Sequence, residues 1–322
     1  MSGVIRVREF GGPQVLKWEE ANAVSPAAGE VLVRNLAVGL NFLDVYFRSG
    51  RYGIPLPFVP GHEGAGTVEA VGEGVSEFRA GDKVGYVDPI GAYATYVVRP
   101  ANRLVKLPDF IDADVAASSL LKGMTAEYLI RRTYRVMPGE MILVHAAAGG
   151  VGQILCQWAA SIGATVIGTV GREEKRALAE GAGCSHVIVT GVDDLVGRVR
   201  YLTGGKGVPV VYDGVGAETF EKSLDCLSPR GMMVAFGASS GPIPLLDVQS
   251  LAAKGSLYVT RPGIGSYTAG TELQDSAAAL FEVIGSGSVR IASSRSYPLR
   301  EAADAHADLE ARKLTGSTVL IP

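Results

Sequence analysis

The chain has 322 residues, 47% hydrophobic and 20% charged, a size and balance that call for about two folded domains with ample core material. A net charge of −3 with no basic block or stripe makes nucleic acid a poor default partner. Three scattered cysteines without C-x-x-C spacing, no apolar run of membrane length and no apolar leader in MSGVIRVREFGG point to a soluble cytoplasmic protein.

The first hundred or so residues read as β-rich. VLVRNLAV (31–38), GTVEAVG (66–72), DKVGYV (82–87) and YATYVV (93–98) stand between Gly, Pro and Asp turn signals, a barrel-like or sandwich pattern. Near residue 112 the texture turns helical, with DADVAASSLLKGMTAEYLIRR carrying apolar residues at helical spacing. From Met141 strands and helices alternate. MILVHA, TVIGTV, HVIVT, VPVVYD and MMVAFG are the strands; VGQILCQWAASIG, EEKRALAEGAG, DDLVGRVRYLTGG and ETFEKSLDCLSPRG are the helices. Val- and Ile-rich strands alternating with amphipathic helices describe βαβ units and a parallel sheet buried on both faces. After about residue 262 the alternation stops, leaving a glycine-rich loop, a helix near 271–286 and a closing STVLIP.

HAAAGGVGQ (145–153) follows a strand and opens a helix, which is the context a dinucleotide fingerprint requires. The pattern is Ala147-x-Gly149-x-x-Gly152, with alanine in the first glycine's place. The remaining glycines, Gly149 and Gly152, let the backbone approach a pyrophosphate, which would sit against amides at the positive end of the helix. An NAD enzyme would carry an acid near the end of the next strand. Val170 stands there instead, followed by Gly171, Arg172 and Lys175, a set suited to the 2′-phosphate of NADPH. The plain alternative for Arg172 and Lys175 is a solvated helix start. Glu173 and Glu174 complement that helix's N-terminus.

GHEGAG (61–66), V-x-x-VG-x-GV (68–75), AGDKV (80–84) and AAAGGVG (146–152), in this order, resemble the medium-chain dehydrogenase/reductase superfamily. The resemblance implies an α/β chain: a GroES-like β-barrel catalytic domain over 1–124, completed by 265–322, and a doubly wound Rossmann cofactor domain over 125–264. Zinc members of that superfamily use a histidine and usually two cysteines as catalytic ligands. Here GLNFLDVY (39–46) offers Asn41 and Asp44 but no thiol, SSLLKGMTAEY (118–128) offers none, and no four-cysteine lobe interrupts DPIGAYATYVV. His62 is therefore expected as a hydrogen-bonded structural histidine, and no metal is expected.

Within the superfamily, NFLDVYFRSGRY (41–52), HAAAGGVG, VVYDGVG, FGASSG and KGSLYVTRP are similar to the zinc-free NADPH:quinone oxidoreductases, the zeta-crystallin-like group. This implies hydride transfer from NADPH to a quinone, polarised by the hydrogen-bond donors Asn41, Tyr46 and Tyr52 beside the nicotinamide. It further places Phe42 and Asp44 near the nicotinamide, Thr125 near its amide end, Gly150 and Val151 on the pyrophosphate turn, and Gly171, Arg172 and Lys175 around the adenosine phosphate. Ser239, Ser240 and Arg261 close over the nicotinamide side, and Arg312 reaches the cofactor from the tail. Thr190 stands where relatives often have tyrosine. Asp213 reads as a structural strand-end residue. The resemblance also suggests a homodimer joined along Rossmann sheet edges near 231–260. Two alternatives stay open: reduction of an enone or alkenal double bond by the same hydride, and a non-enzymatic RNA-binding or crystallin-type role.

Overall fold

The computed structural model describes residues 2–22, 24–291 and 293–322, the side chains of 293 and 294 excepted. The chain divides into two compact units, with the boundary between Lys122 and Gly123. The first takes in the chain up to Lys122 together with Thr268–Gly285 and Ile291–Pro322; the second is Gly123–Tyr267 with Ser286–Arg290.

In the first unit, β1 (Gly3–Arg6) and β2 (Lys17–Glu20) pair as an antiparallel ribbon. β3 (Glu30–Gly39) organises the larger sheet, because its alternating Val and Leu side chains suit a half-buried pleated strand. It pairs antiparallel with β4 (Glu63–Val71) and β6 (Tyr96–Pro100); β4 pairs with β5 (Lys83–Val87), and β5 with β7 (Leu104–Lys106). Val31, Val33, Val68, Val84, Tyr86 and Leu104 meet in the core beneath. Each such aliphatic side chain contributes about 1.5–3 kcal/mol on burial. The short helix α1 (Phe42–Arg48) leaves β3 after two residues.

α2 (Ala113–Tyr128) carries the helical pattern read at 112–132, but Leu129–Thr133 winds as a single π-turn. The Tyr212 hydroxyl lies 3.2 Å from Leu129 O, the carbonyl that accepts the Tyr134 amide across the π-turn, and 3.3 Å from Tyr134 O just beyond it.

The second unit alternates strictly. β8 (Met141–Val144), α3 (Gly150–Ile162), β9 (Thr165–Val170), α4 (Arg176–Gly181), β10 (Cys184–Val189), α5 (Leu195–Leu202), β11 (Val208–Asp213), α6 (Phe220–Cys226), β12 (Leu227–Ala235), α7 (Val248–Ala253) and β13 (Tyr258–Thr260) follow in turn. The sheet order is β10-β9-β8-β11-β12-β13, parallel throughout. Numbered along the sheet's own strands this is 3-2-1-4-5-6, the doubly wound arrangement expected from the βαβ rhythm. α3 ends where Gly163 takes φ 97°, a left-handed cap that glycine adopts without strain.

One expected helix is cut short. Within ETFEKSLDCLSPRG only Phe220–Cys226 is α-helical, and Leu227 turns to φ −74°, ψ 146° to open β12. Pro229 forbids a continuing helix, and LSPRG lengthens the strand instead.

The last segments supply α8 (Glu272–Gly285), β14 (Ser293–Pro298), α9 (Ala302–Glu310) and β15 (Ser317–Ile321) to the first unit. β15 pairs antiparallel with the end of β3, and β14 lies parallel outside it.

Candidate active site

In the first unit the segment 41–52 is an aromatic cluster built on α1. Asn41 is the N-cap residue, its amide donating to Asp44 Oδ2 at 2.9 Å. Phe42 and Tyr46, four apart and hence on one face, have ring centroids 6.5 Å apart. Tyr52 meets the edges of Tyr46 at 5.3 Å and Phe47 at 5.5 Å, and Phe47 packs 4.9 Å from the His62 ring. The Arg51 guanidinium lies over the Tyr46 ring, 4.7 Å from its centroid. Tyr46 and Tyr52 are thus brought together, whereas the Asn41 side-chain amide is engaged by Glu63 Oε1 at 2.9 Å in a buried position.

Beneath this cluster runs a buried polar chain whose proton order can be read from its one obligate donor. Arg48 can only donate, so at 3.0 Å from His306 Nδ1 it fixes that nitrogen as an acceptor and leaves the proton on Nε2. Nε2–H then faces the Tyr93 oxygen at 3.0 Å, and the Tyr93 hydroxyl donates to Asp44 Oδ2 at 3.0 Å. Asp44 Oδ1 accepts from His62 Nδ1 at 2.7 Å. At the other end Glu310 holds Arg48 with both oxygens, at 2.8 and 2.9 Å. Burial pulls the His306 imidazole down to about 4, with Arg48 acting in the same direction against Asp44. Burial and the neighbouring Asp44 push the Tyr93 phenol up.

Glu63, fully buried, accepts three hydrogen bonds: from Lys122 Nζ at 2.6 Å, the Leu121 amide at 2.8 Å and Asn41. Lys122 is itself 5% exposed. None of Lys122, Tyr93, Arg48 and His306 was singled out from the sequence. A lysine within the apolar run SSLLKGMTA was the available signal, since lysine is almost never buried unless paired.

In the second unit the sheet order reverses between β8 and β11, and ligands of such sheets bind outside the carboxyl ends of the strands at that point. The residues assigned to a cofactor from the sequence follow those ends: Gly149–Gly152 after β8, Gly171, Arg172 and Lys175 after β9, Thr190 after β10, Ser239 and Ser240 after β12, Arg261 after β13. Gly149 caps α3 with no side-chain cap. A Cβ on Gly152 would stand 2.2 Å from Ala146 O, so only glycine fits that crossing. Val170, where an acid would bind a ribose, is buried, while Arg172 is exposed. Glu173 is held by Arg176, its Oε2 3.1 Å from Nη2, a role beyond the helix-start complement read from the sequence.

Thr190 Oγ1 donates to Val170 O at 3.3 Å and ties the two strand ends. Ser240 Oγ bonds Val215 O at 2.8 Å, and Arg261 Nη1 donates to Ala235 O at 2.6 Å. Thr125 lies buried on α2, and Arg312 stands in the first unit with φ 57°. Asp213 accepts from Val215 N at 2.7 Å, Gly216 N at 3.1 Å, Thr219 Oγ1 at 2.7 Å and Ser223 Oγ at 3.2 Å.

Comparison with known proteins adds lineage to this geometry. The alcohol dehydrogenase GroES-like domain family matches residues 27–109, and the zinc-binding dehydrogenase family matches 150–282. A quinone oxidoreductase of Pseudomonas aeruginosa is 49% identical, covering 100% of both chains. The chain belongs to the quinone oxidoreductase family. Among members of solved structure, the Escherichia coli quinone oxidoreductase complexed with NADPH aligns at TM-score 0.97 and 46% identity, over 99% of this chain and 100% of that one. A 2-haloacrylate reductase of Burkholderia, within the same range of similarity, is 45% identical over 98% of each chain.

Because one matched family is described as zinc-binding, the fit of zinc to this quinone oxidoreductase family member can be tested on its residues. Zinc needs three protein ligands around one point. His62 gives Nδ1 to Asp44, and its Nε2 is 3.9 Å from Asp88 Oδ1. Glu63 is taken by the Lys122 ammonium, a cation where a second cation would be repelled. Among the described residues no group of three or more His, Cys, Asp and Glu is placed to hold a metal ion. These residues do not fit zinc.

Proposed function

We propose that this protein is an NADPH-dependent quinone reductase that passes hydride from the nicotinamide to a quinone without a metal. The observation carrying this reading is full-length similarity to quinone oxidoreductases, including one solved with NADPH, joined to a glycine turn at the sheet's switch point. The residues fit the cofactor: the amides at the start of α3 suit a pyrophosphate, and Arg172 and Lys175 suit a 2′-phosphate. NADPH supplies the hydride when bound.

Tyr46 and Tyr52 are the donors to the quinone oxygens in this reading. A phenol keeps its proton at neutral pH and can stabilise negative charge developing on the acceptor. Asn41 acts through position, holding Glu63 and starting the helix that carries Tyr46. Phe42, Asp44, Thr125, Thr190, Ser239, Ser240, Arg261 and Arg312 remain assigned to the cofactor's surroundings.

The test is kinetic. NADPH should exceed NADH in kcat/KM with 1,4-benzoquinone by tenfold or more, and Arg172→Ala with Lys175→Ala should shrink that ratio. An NADH preference in the parent protein would refute the cofactor assignment.

The 2-haloacrylate reductase relative favours a second reading, reduction of an activated double bond by the same hydride. Quinone and alkene acceptors assayed side by side separate the two. We further propose a homodimer through the outer edge of β13, which has no strand partner among the described residues; Tyr258 on β13 and Leu245 and Val248 in the segment before it are exposed apolar side chains. A reducing, cytoplasmic setting suits the three free, buried cysteines.

A further inference from the structure

We infer that Thr169 and His145 are positioning residues for NADPH, holding Ala146 in the left-handed conformation that shapes the pyrophosphate turn. The inference rests on the reading of that turn as the cofactor's pyrophosphate site. Ala146 has φ 52°, where a Cβ crowds the following carbonyl, and such a conformation persists only where its surroundings enforce it. Its carbonyl stands at the centre of the turn. Ala146 O accepts from the Gly149 amide at 2.8 Å, and α3 crosses it at Gly152, where no Cβ would fit. The direction of that carbonyl therefore sets where the first amides of α3 lie.

The end of β9 holds both sides of the strained residue. Thr169 O accepts from the Ala147 amide at 2.9 Å, and Thr169 Oγ1 accepts from the Ala146 amide in a longer bond of 3.4 Å. Oγ1 serves that amide only in one rotamer, and His145 fixes the rotamer. Nδ1 of His145 is 3.0 Å from Thr169 Oγ1, and its Nε2 is 3.0 Å from Ser223 Oγ. The Ser223 hydroxyl faces two acceptors, Thr219 O at 2.8 Å and Asp213 Oδ2 at 3.2 Å. Its proton goes to them, so Nε2 carries the ring proton and donates to Ser223 Oγ. Nδ1 is left to accept from the Thr169 hydroxyl, whose oxygen keeps a lone pair for the Ala146 amide. Burial holds the His145 imidazole below the usual histidine range, against the pull of Asp213, and so keeps the ring neutral. Thr169, His145, Ser223 and Asp213 are all buried, so solvent does not replace a lost partner.

Without this latch the turn reaches its binding shape only part of the time. Apparent affinity falls by that fraction, while saturating cofactor still selects the competent turn. The experiment measures the NADPH dissociation constant by nicotinamide fluorescence, and kcat with 1,4-benzoquinone at saturating NADPH. Thr169→Val keeps the size and branching of the side chain and removes its oxygen. It should raise the dissociation constant about tenfold and leave kcat within about twofold. In an Ala146→Gly background the same substitution should raise it by no more than about twofold, because glycine takes a positive φ without crowding. His145→Leu should follow the same pattern in the two backgrounds. Equal losses of affinity in both backgrounds would overturn the inference. So would a lowered unfolding midpoint in Thr169→Val and His145→Leu with the dissociation constant intact. Affinity lost in Thr169→Val but kept in His145→Leu removes His145 from the latch. A parent protein that does not bind NADPH sinks the reading of the glycine turn itself.

Discussion

At His306 the surroundings set both the tautomer and the cost of a second proton. Burial disfavours the cation most, and the proton would go onto Nδ1, toward Arg48, which adds to the effect against Asp44; the folded protein therefore binds it only near pH 4, against about 6.5 for an unperturbed histidine. A group whose folded pKa is depressed contributes stability in full above the unfolded value and loses it as pH falls toward the folded one. Between pH 6.5 and 4 this residue alone should therefore remove on the order of 3 kcal/mol. Urea unfolding measured across that window should give a shallower pH slope for His306→Gln than for the parent; equal slopes would place the acid sensitivity elsewhere.

Lys122 poses a different residue-scale problem. Lys122→Met leaves Glu63 buried without its cation, which costs about 3–5 kcal/mol, and adding Glu63→Gln should recover much of that loss. The midpoint of thermal unfolding reads both. At the acceptor, Tyr52→Phe should lower kcat for quinones about tenfold while leaving the NADPH dissociation constant unchanged, consistent with a donor that works mainly in the transition state.

At the scale of elements, the turn between β8 and α3 and the cap at the end of α3 both depend on glycine, for different reasons. Gly152→Ala forces a methyl against Ala146 O and should raise the NADPH dissociation constant at least tenfold, as read by nicotinamide fluorescence. Gly163→Ala sits at φ 97° and should cost about 1–2 kcal/mol of stability with NADPH binding intact.

The elements most legible in the sequence were those whose burial is periodic. TVIGTV and VPVVYD are nearly continuous apolar runs because helices cover both faces of a parallel sheet, and VLVRNLAV is apolar except at Arg34 and Asn35, with only Arg34 and Leu36 exposed within it. β14, with the polar sequence SSRSYP, and three-residue β13 carry no such signal, since each is fixed by a neighbouring strand rather than by its own pattern. The same limit applies to the site. The glycine turn and the tyrosines lie in short contiguous stretches, whereas Glu63–Lys122, Tyr93–His306 and Arg48–Glu310 join residues 59, 213 and 262 positions apart. Local spacing holds no trace of such pairings, so the commitment of Asn41 to Glu63 was invisible until the strands were placed.

For the whole molecule, no described helix is long and apolar enough to cross a membrane. The proposed dimer predicts a sedimenting mass near twice 33.6 kDa, falling toward the single-chain mass in Leu245→Asp with Tyr258→Asp. A parent protein that sediments as one chain would remove that proposal.

The chemistry is tested most directly by NADPH oxidation with chelator-treated protein against benzoquinone, naphthoquinone and an alkenal, beside a primary alcohol with NADP⁺. Quinone turnover undiminished by the chelator is the expected result. Activity confined to the alcohol and abolished by chelation would contradict metal-free quinone reduction and make His62 a metal ligand.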